Sequence, residues 1–361
     1  MPVTRIALAA LLLATVAGPA IAADDIVIGA VYPLTGNGAQ VGLDAKAAYE
    51  TEADIINGTH DKLPMLLGEG GGLAKLGGAH IKLVFADSQG DPQKARAEAE
   101  RLITQEHVVA IVGSYTSATA ATISQVTERY EIPYMSADNS SPSLNQRGLK
   151  WFFRTSPHDE MFSQAMYDFY RDIGQKTGHP VKSVALFYED SIFGTDSSNV
   201  QRKLAEKTGV AVAADLRYRA NSPSLSSEAQ RLKAADADVL MPSSYTSDAL
   251  SIMRSMNEIG YKPKAVMAQA AGFQEQDFLT GAGALGNAAA ASAANGLNTS
   301  VGSGVAVATP AGSLSAGIGT SIGQSTGQSG AVAGPGGAAL SGAFSNNGGV
   351  GVGGGFTNVL P

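Results

Sequence analysis

The chain has 361 residues, with 25 Lys and Arg against 32 Asp and Glu, a formal net charge of −7 and no cysteine. Within this sequence that leaves no residue for a disulfide framework, a thiolate metal site or a cysteine-linked lipid. An acidic surface with no basic stripe speaks against nucleic acid or an anionic membrane as partner.

Residues 1–22 carry one basic residue, Arg5, an apolar run Ile6–Val16 and the ending Ala20-Ile21-Ala22. That layout predicts a cleavable secretory signal with the mature chain starting at Ala23, and it is too short for a permanent membrane helix. Export without disulfides or a lipid points to a periplasmic location, with no direct membrane insertion after cleavage.

From Asp25 to about Thr280 strand and helix patterns alternate. Ile26–Tyr32, Ile81–Ala86, Val108–Val112, Val184–Tyr188 and Val239–Met241 read as short buried strands. Gln40–Ile56, Pro92–Gln105, Ala118–Tyr130, Glu160–Ile173, Thr195–Lys207, Ser224–Ala235 and Ser247–Ile259 read as amphipathic helices. Such alternation predicts parallel sheets covered by helices, an α/β class. Over ~250 residues it calls for two lobes rather than one core. Thr59–Leu76, with Gly70-Gly71-Gly72, reads as an inserted surface loop.

Two turns stand out. Val108–Val112 ends at Gly113, and Ser114-Tyr115-Thr116-Ser117 opens the helix that runs to Tyr130. Ile132–Ser136 repeats the pattern and ends in Ala137-Asp138-Asn139-Ser140-Ser141-Pro142-Ser143. In a parallel sheet, ligands sit at the carboxyl edge, where free helix N–H groups and hydroxyls can grip an anion. Each Ser or Thr alone reads best as a helix cap; the pairing of the two turns favours a pocket.

The boundaries predicted are a signal at 1–22, lobe one at 23–153, lobe two at 154–280 and a tail at 281–361. Lys150–Pro157 is the crossing between lobes. The tail has no charged residue and no histidine, and Gly, Ala, Ser, Asn and Thr dominate it. It reads as low-complexity chain, without a helical or alternating period and too poor in apolar bulk to fold cooperatively, and the expectation is a disordered tail.

Enzyme chemistry finds little footing. His60, His80, His107, His158 and His179 are scattered, without metal-ligand spacing. No nucleophile elbow and no phosphate loop is present. His158-Asp159-Glu160 reads as a helix start whose acids complement the dipole. The reading is of a binding protein with no catalytic residues, metal or cofactor.

The order of several motifs resembles a known family. Ile28-Gly29-Ala30-Val31-Tyr32-Pro33-Leu34-Thr35-Gly36, the turn at Gly113–Ser117 and Ser136–Leu144 are three of them. Phe152-Phe153-Arg154-Thr155, Tyr188–Gly194 and Asp238–Met241 followed by Tyr245 are the others. Over roughly Asp25–Phe278 the chain is similar to periplasmic binding proteins of the leucine/isoleucine/valine-binding type. The resemblance implies two Rossmann-like lobes (a type I periplasmic binding protein), a small-molecule ligand in the cleft, and ABC transporter permease subunits as partners.

Carried over by position, Thr116 with Tyr115 would bind a ligand carboxylate, and Asn139 and Ser140 would complete the polar grip. Phe193 would stack on the ligand, and Tyr245 would close over it. Two departures stand beside these. Where amino-acid-binding members place an acid after the strand Ala265–Ala268, this chain has Gln269-Ala270-Ala271-Gly272, with Glu275 further on. A ligand ammonium without a carboxylate partner is costly, so the expectation is a small carboxylate, amide or urea-like solute. The family's chain also returns to lobe one with further strand–helix units, and nothing in Gly281–Pro361 matches them. A sensor module feeding a chemoreceptor or kinase, or a non-functional chimera or truncation of a receptor, are the alternatives.

Overall fold

The computed structural model describes residues 24–269, 271–273, 278 and 281, and strand segments between 294 and 360, for which backbone pairing alone is described. The segment read as a signal, and Ala270 and Glu275, lie outside the described residues.

Five parallel strands form the first sheet: β1 (Ile26–Tyr32), β2 (Ile81–Asp87), β3 (Ala110–Gly113), β4 (Tyr134–Ser136) and β5 (Phe152–Arg154), in the order β2-β1-β3-β4-β5. Helices α1 (Ala39–Asn57), α2 (Pro92–Thr104) and α3 (Ser117–Tyr130) link them. The sequence dictates these helices locally. In α2, Asp91 accepts the Lys94 amide at 2.7 Å, Pro92 occupies the first turn, and Ala95, Ala99 and Leu102 bury one stripe.

That stripe and α3 cover one face of the sheet. The registered row Val84, Gly29, Ile111, Tyr134 and Phe152 lies there, and Leu102, Ile123 and Val126 pack with it in one core. The opposite row is Phe85, Ala30, Val112, Met135 and Phe153. Exposure rises along it: Ala30 is buried, Met135 is 39% exposed and Phe153 45%.

Residues 155–158 carry the chain to the second sheet. Three parallel strands, β6 (Ser183–Glu189), β7 (Ala211–Tyr218) and β8 (Val239–Ser243), run in the order β7-β6-β8. Helices α4 (Asp159–Thr177), α5 (Ile192–Thr208), α6 (Ser226–Ala235) and α7 (Thr246–Glu258) flank them. Phe187, Leu216 and Leu240 pack with Leu232, Ile252 and Met256 on one face. Val184, Leu186, Val239 and Met241 pack with Met166, Tyr167 and Tyr170 on the other. Both faces are covered.

Three elements differ from the sequence reading. Phe152–Arg154, read as part of the lobe crossing, pairs with β4 as the last strand of the first sheet, so the crossing itself is shorter. β7 has no counterpart in that reading: an edge strand with alternate residues exposed, it is built largely of Ala, Asp and Arg, which signal strand weakly. The segment read as a strand at Ala265–Ala268 joins β8 through isolated bridges, Leu240 to Val266 and Ser243 to Gln269.

The tail also differs. Its backbone pairs antiparallel as β9 (Ala294–Asn295), β10 (Gly302–Thr309), β11 (Gly312–Ser321), β12 (Gln328–Ser329), β13 (Ala338–Ala343) and β14 (Gly351–Leu360). The order is β10-β11-β14-β13, with β12 on β9. The high glycine content masks a period of two, since Leu314, Ala316, Ile318 and Thr320 alternate with Ser and Gly.

Candidate ligand-binding cleft

Both sheets change strand direction of succession beside their first strand, between β1 and β3 and between β6 and β8. The crevice beyond such a switch point is where open α/β sheets bind ligands. All six residues carried over from the family fall on turns at these carboxyl edges.

On lobe one, β3 ends at Gly113 with φ of +121°, and a Cβ there would stand 2.4 Å from the Val31 carbonyl oxygen. The close approach to β1 therefore demands glycine. Tyr115 follows, buried, and Gly38 backs its ring so closely that a Cβ would lie 3.1 Å away. Thr116 caps α3, its hydroxyl accepting the Thr119 amide at 3.2 Å and lying 2.9 Å from the Thr119 hydroxyl. Asn139 is buried and spans the two turns: its Nδ2 donates to the Ser114 carbonyl at 3.1 Å. Ser140 is half-buried beside it, and its carbonyl accepts the Asp159 amide at 2.9 Å.

On lobe two, Ser191 caps α5 by accepting the Phe193 amide at 3.2 Å, which fixes Phe193 in the first turn, fully enclosed. The Glu189 carboxylate accepts the Ser191 amide at 2.6 Å and the Gly194 amide at 3.0 Å, and holds that turn. Burial pushes Glu189 above the usual carboxylate range despite those bonds. Tyr245 precedes α7 and touches both lobes. Its ring lies 5.2 Å from Tyr115, edge to face, and 5.2 Å from Phe193. Burial, followed by the nearby Glu189, raises the Tyr245 pKa well above 10, so the phenol stays neutral.

The structure thus brings Tyr115, Phe193 and Tyr245 together, while Thr116, Asn139 and Ser140 lie on the two neighbouring turns of lobe one. Thr116 and Asn139 already serve the scaffold, as cap and as tie.

Further residues of the cleft escaped the sequence reading. Arg154 at the end of β5 donates to the Ser140 carbonyl at 3.1 Å and the Ser141 carbonyl at 2.7 Å, and braces the second turn. Asn37 crosses the cleft, its Nδ2 donating to Asn221 at 3.1 Å and Ser247 at 2.9 Å. Asp196 on α5 accepts from Ser141 and from the Ser143 amide. Asp159, read as an acid that complements the helix dipole, is wholly buried. Desolvation, helped by repulsion from the Asp196 charge, outweighs the favourable Ser140, Arg154 and Gln269, and its pKa rises to about 7. Its burial follows from the lobe crossing, which tucks the first turn of α4 under Ser140.

Among the described residues no cluster of His, Asp and Glu could hold a metal ion, and no helix is long and apolar enough to cross a membrane.

Comparison with known proteins agrees with this architecture. A family model described as periplasmic binding protein matches residues 25–311. The Leu/Ile/Val-binding protein homolog 7 of Brucella melitensis biotype 1 is 32% identical over 266 residues, 73% of this chain and 63% of that protein. Homolog 8 of Brucella abortus is 31% identical over 255 residues, 70% of this chain and 60% of its own. The chain therefore spans less than two thirds of the length of these relatives. Among solved structures, the branched-chain amino acid transporter substrate-binding protein LivJ of Streptococcus pneumoniae, in complex with isoleucine, is similar with a TM-score of 0.59. Its identity is 21%, over 72% of this chain and 67% of that one. An ABC-transporter solute-binding protein of R. palustris, in complex with 4-hydroxybenzoate, also reaches 0.59, at 20% identity over 72% and 66%. At such identity these two speak for the fold alone, the α/β lobes with parallel sheets of type I periplasmic binding proteins. With the family model spanning both sheets, the chain belongs to the periplasmic binding protein family.

Proposed function

We propose that the chain is the ligand-binding part of a periplasmic solute receptor. It encloses a small polar solute between its lobes and presents the closed form to the permease of an ABC transporter. The observation that carries this reading is the aromatic group across the cleft, where the Tyr245 ring of lobe two meets Tyr115 of lobe one and Phe193. The N-terminus of α3, opened by Thr116, offers free N–H groups that can donate to a carboxylate or amide oxygen of a ligand. Thr116 would add its hydroxyl to that grip, Ser140 would approach from the second turn, and Tyr115, Phe193 and Tyr245 would close on the apolar part.

Closure of two lobes around a ligand buries apolar and polar surface at once, and the bound state differs from the open one by those contacts. The solved relatives bound to isoleucine and to 4-hydroxybenzoate have ligands with a carboxylate and an apolar body. A solute of that build, or its amide, suits this cleft. Export through the segment 1–22 would place the receptor in the periplasm, and the acidic chain needs no nucleic acid, cofactor or metal for the task.

Thermal-shift and calorimetric screening of the full chain against small carboxylates, amides, urea and branched amino acids tests the reading. A rise in melting temperature with one member, abolished in Tyr245→Ala together with Phe193→Ala, is the expected result. A panel without any binder, on a protein that melts cooperatively, would overturn it.

A further inference from the structure

We propose that the loop between α1 and β2 is a lipid-contact site, whose tip Pro64-Met65-Leu66-Leu67 rests in the interface of a bilayer through apolar contact rather than charge. The loop leaves the end of α1 and enters the start of β2, so it lies at the amino edge of the first sheet, away from the cleft. The proposal stands apart from the receptor reading and leaves the cleft free.

The tip is four apolar residues in succession, all exposed, with Leu66 at 85% and Leu67 at 48%. Such a run works against solubility and does nothing for a loop that only connects two elements. The backbone is tied rather than slack. The Leu63 amide donates to the Gly68 carbonyl at 2.8 Å and the Gly68 amide to the Met65 carbonyl at 3.1 Å, closing a turn with Leu66 and Leu67 at its corner. Leu67 holds φ at +58°, a conformation that glycine or asparagine adopts at little cost and leucine does not. Gly68 is required beneath it, since a Cβ there would stand 2.7 Å from the Leu63 carbonyl oxygen. At the base, the Gly71 amide donates to the Gly58 carbonyl at 2.7 Å and the Gly72 amide to the Ile56 carbonyl at 2.8 Å. Two leucines are thus presented at a corner where polar turn residues would serve the fold better.

Three observations select a lipid surface over a protein. The tip is small: four side chains, with Leu76 exposed further along the loop, against the roughly 20–30 residues a side of a stable protein interface. A bilayer asks for no complementary shape, and affinity there follows the apolar area sunk below the headgroups. The charges of the loop balance, Asp61 and Glu69 against Lys62 and Lys75, and Lys62 pairs with Glu69 at 2.8 Å. They offer no net sign to a charged partner. Finally, the chain enters the fold at this edge, because the Ile26 amide donates to the His80 carbonyl at 2.8 Å where the loop ends. Residues 1–22, read as the export segment, precede that strand in the sequence. A chain held in a membrane by that segment has this edge nearest the bilayer.

The sequence has no cysteine, so a single introduced one can be labelled alone. In the full chain, Met65→Cys and, separately, Met161→Cys carry a polarity-sensitive dye. Met161 is exposed in the first turn of α4, on the cleft side. Vesicles of phosphatidylcholine should shift the emission of the first dye to the blue and leave the second in place. Adding Leu66→Asp and Leu67→Asp to Met65→Cys should raise the lipid concentration for half the shift by roughly tenfold or more, the scale of losing one buried leucine side chain. An unshifted Met65→Cys dye, or equal shifts at both positions, overturns the proposal without need of the double substitution. So does a shift that persists unchanged in that variant, or one seen only with phosphatidylglycerol vesicles and lost in high salt. A concentration-dependent dimer that the double substitution abolishes, with no response to vesicles, would give the tip to a second copy of the chain and overturn it as well.

Discussion

The two lobes are built on the same plan and finished differently. In lobe two, helices α6 and α7 cover one face of the sheet and α4 and α5 the other, with buried apolar residues on both. In lobe one, α2 and α3 cover one face, while the other is open toward β4 and β5, where Met135 and Phe153 lie exposed. A parallel sheet is ordinarily covered on both faces, so the comparison separates a lobe whose elements close on themselves from one whose sheet has surface left over. Since net domain stability is only ~5–15 kcal/mol, uneven cover of this kind divides stability unevenly between the halves.

The largest test of that difference is a pair of truncations. Leu186→Ala, in the core between β6 and α4, should destabilise lobe two by about 2–5 kcal/mol through lost burial and the cavity left behind. The sole tryptophan, Trp151, stands at the start of β5 and reports on lobe one. During denaturation its fluorescence should change at lower denaturant than the circular dichroism of the whole chain, and Leu186→Ala should bring the two transitions together. Coincident transitions in the unmodified chain would refute the uneven division. Limited proteolysis offers the same contrast: we expect elastase to reach lobe one before lobe two.

A smaller effect is expected in the cleft. Thr116→Ala should weaken a bound carboxylate by roughly 1–3 kcal/mol, the loss of a hydrogen bond to a charged group. The same change removes the cap of α3, at a cost of about 1 kcal/mol to lobe one. Thr116→Ser keeps both hydroxyl functions and should restore both. If calorimetry finds ligand affinity unchanged in Thr116→Ala while the melting temperature falls, Thr116 is a cap and no more.

The lobes should also answer differently to pH. Burial pushes Asp159 up to about 7 and Asp248 up to about 6, and raises Glu189 as well. Lobe one has Asp138 raised in the same way, against Tyr32. These groups bind protons more tightly folded than unfolded, where a carboxyl titrates near ~4. Between about 4 and 7 the folded state therefore holds more protons, and stability is lost as pH rises through that window. Lobe two, with three such carboxyls, should melt higher at mildly acidic than at neutral pH, and Asp248→Asn should flatten the change. A melting temperature that falls steadily on acidification from neutrality would contradict the burial of these groups.

How much of this could be read from the residues varies with the kind of signal. β1, β2, β6 and β8, and helices α1 to α7, announce themselves by apolar runs and by periodic stripes such as Ala95, Ala99 and Leu102. β7 does not, because an edge strand of Ala, Asp and Arg takes its conformation from pairing with β6 rather than from its own composition. At the cleft, the hydroxyl-rich turns after β3 and β4 were legible as a pair. Phe193 and Tyr245 came through family resemblance. Asp159 was read only as complementing the dipole of α4 and Arg154 was given no role of its own, since the burial of a charged residue at a helix start or strand end shows only once the lobe crossing is folded over it. The alternation of Leu314, Ala316 and Ile318 in β11 was hidden by the glycines around it.

The smallest expected effect returns to the open face of lobe one. Phe153 pairs in register with Met135, which pairs with Val112, so the three make an apolar row that ends in exposed rings and chains. A half-exposed side chain has already kept much of its contact with water, and its truncation forfeits little burial. Phe153→Ser should therefore shift the Trp151-reported transition by less than about 0.5 kcal/mol, as surface substitutions usually do. It should at the same time reduce binding of an apolar dye such as anilinonaphthalene sulfonate, because it breaks the row. A loss above about 2 kcal/mol would instead place Phe153 under cover in solution and make the two lobes equals.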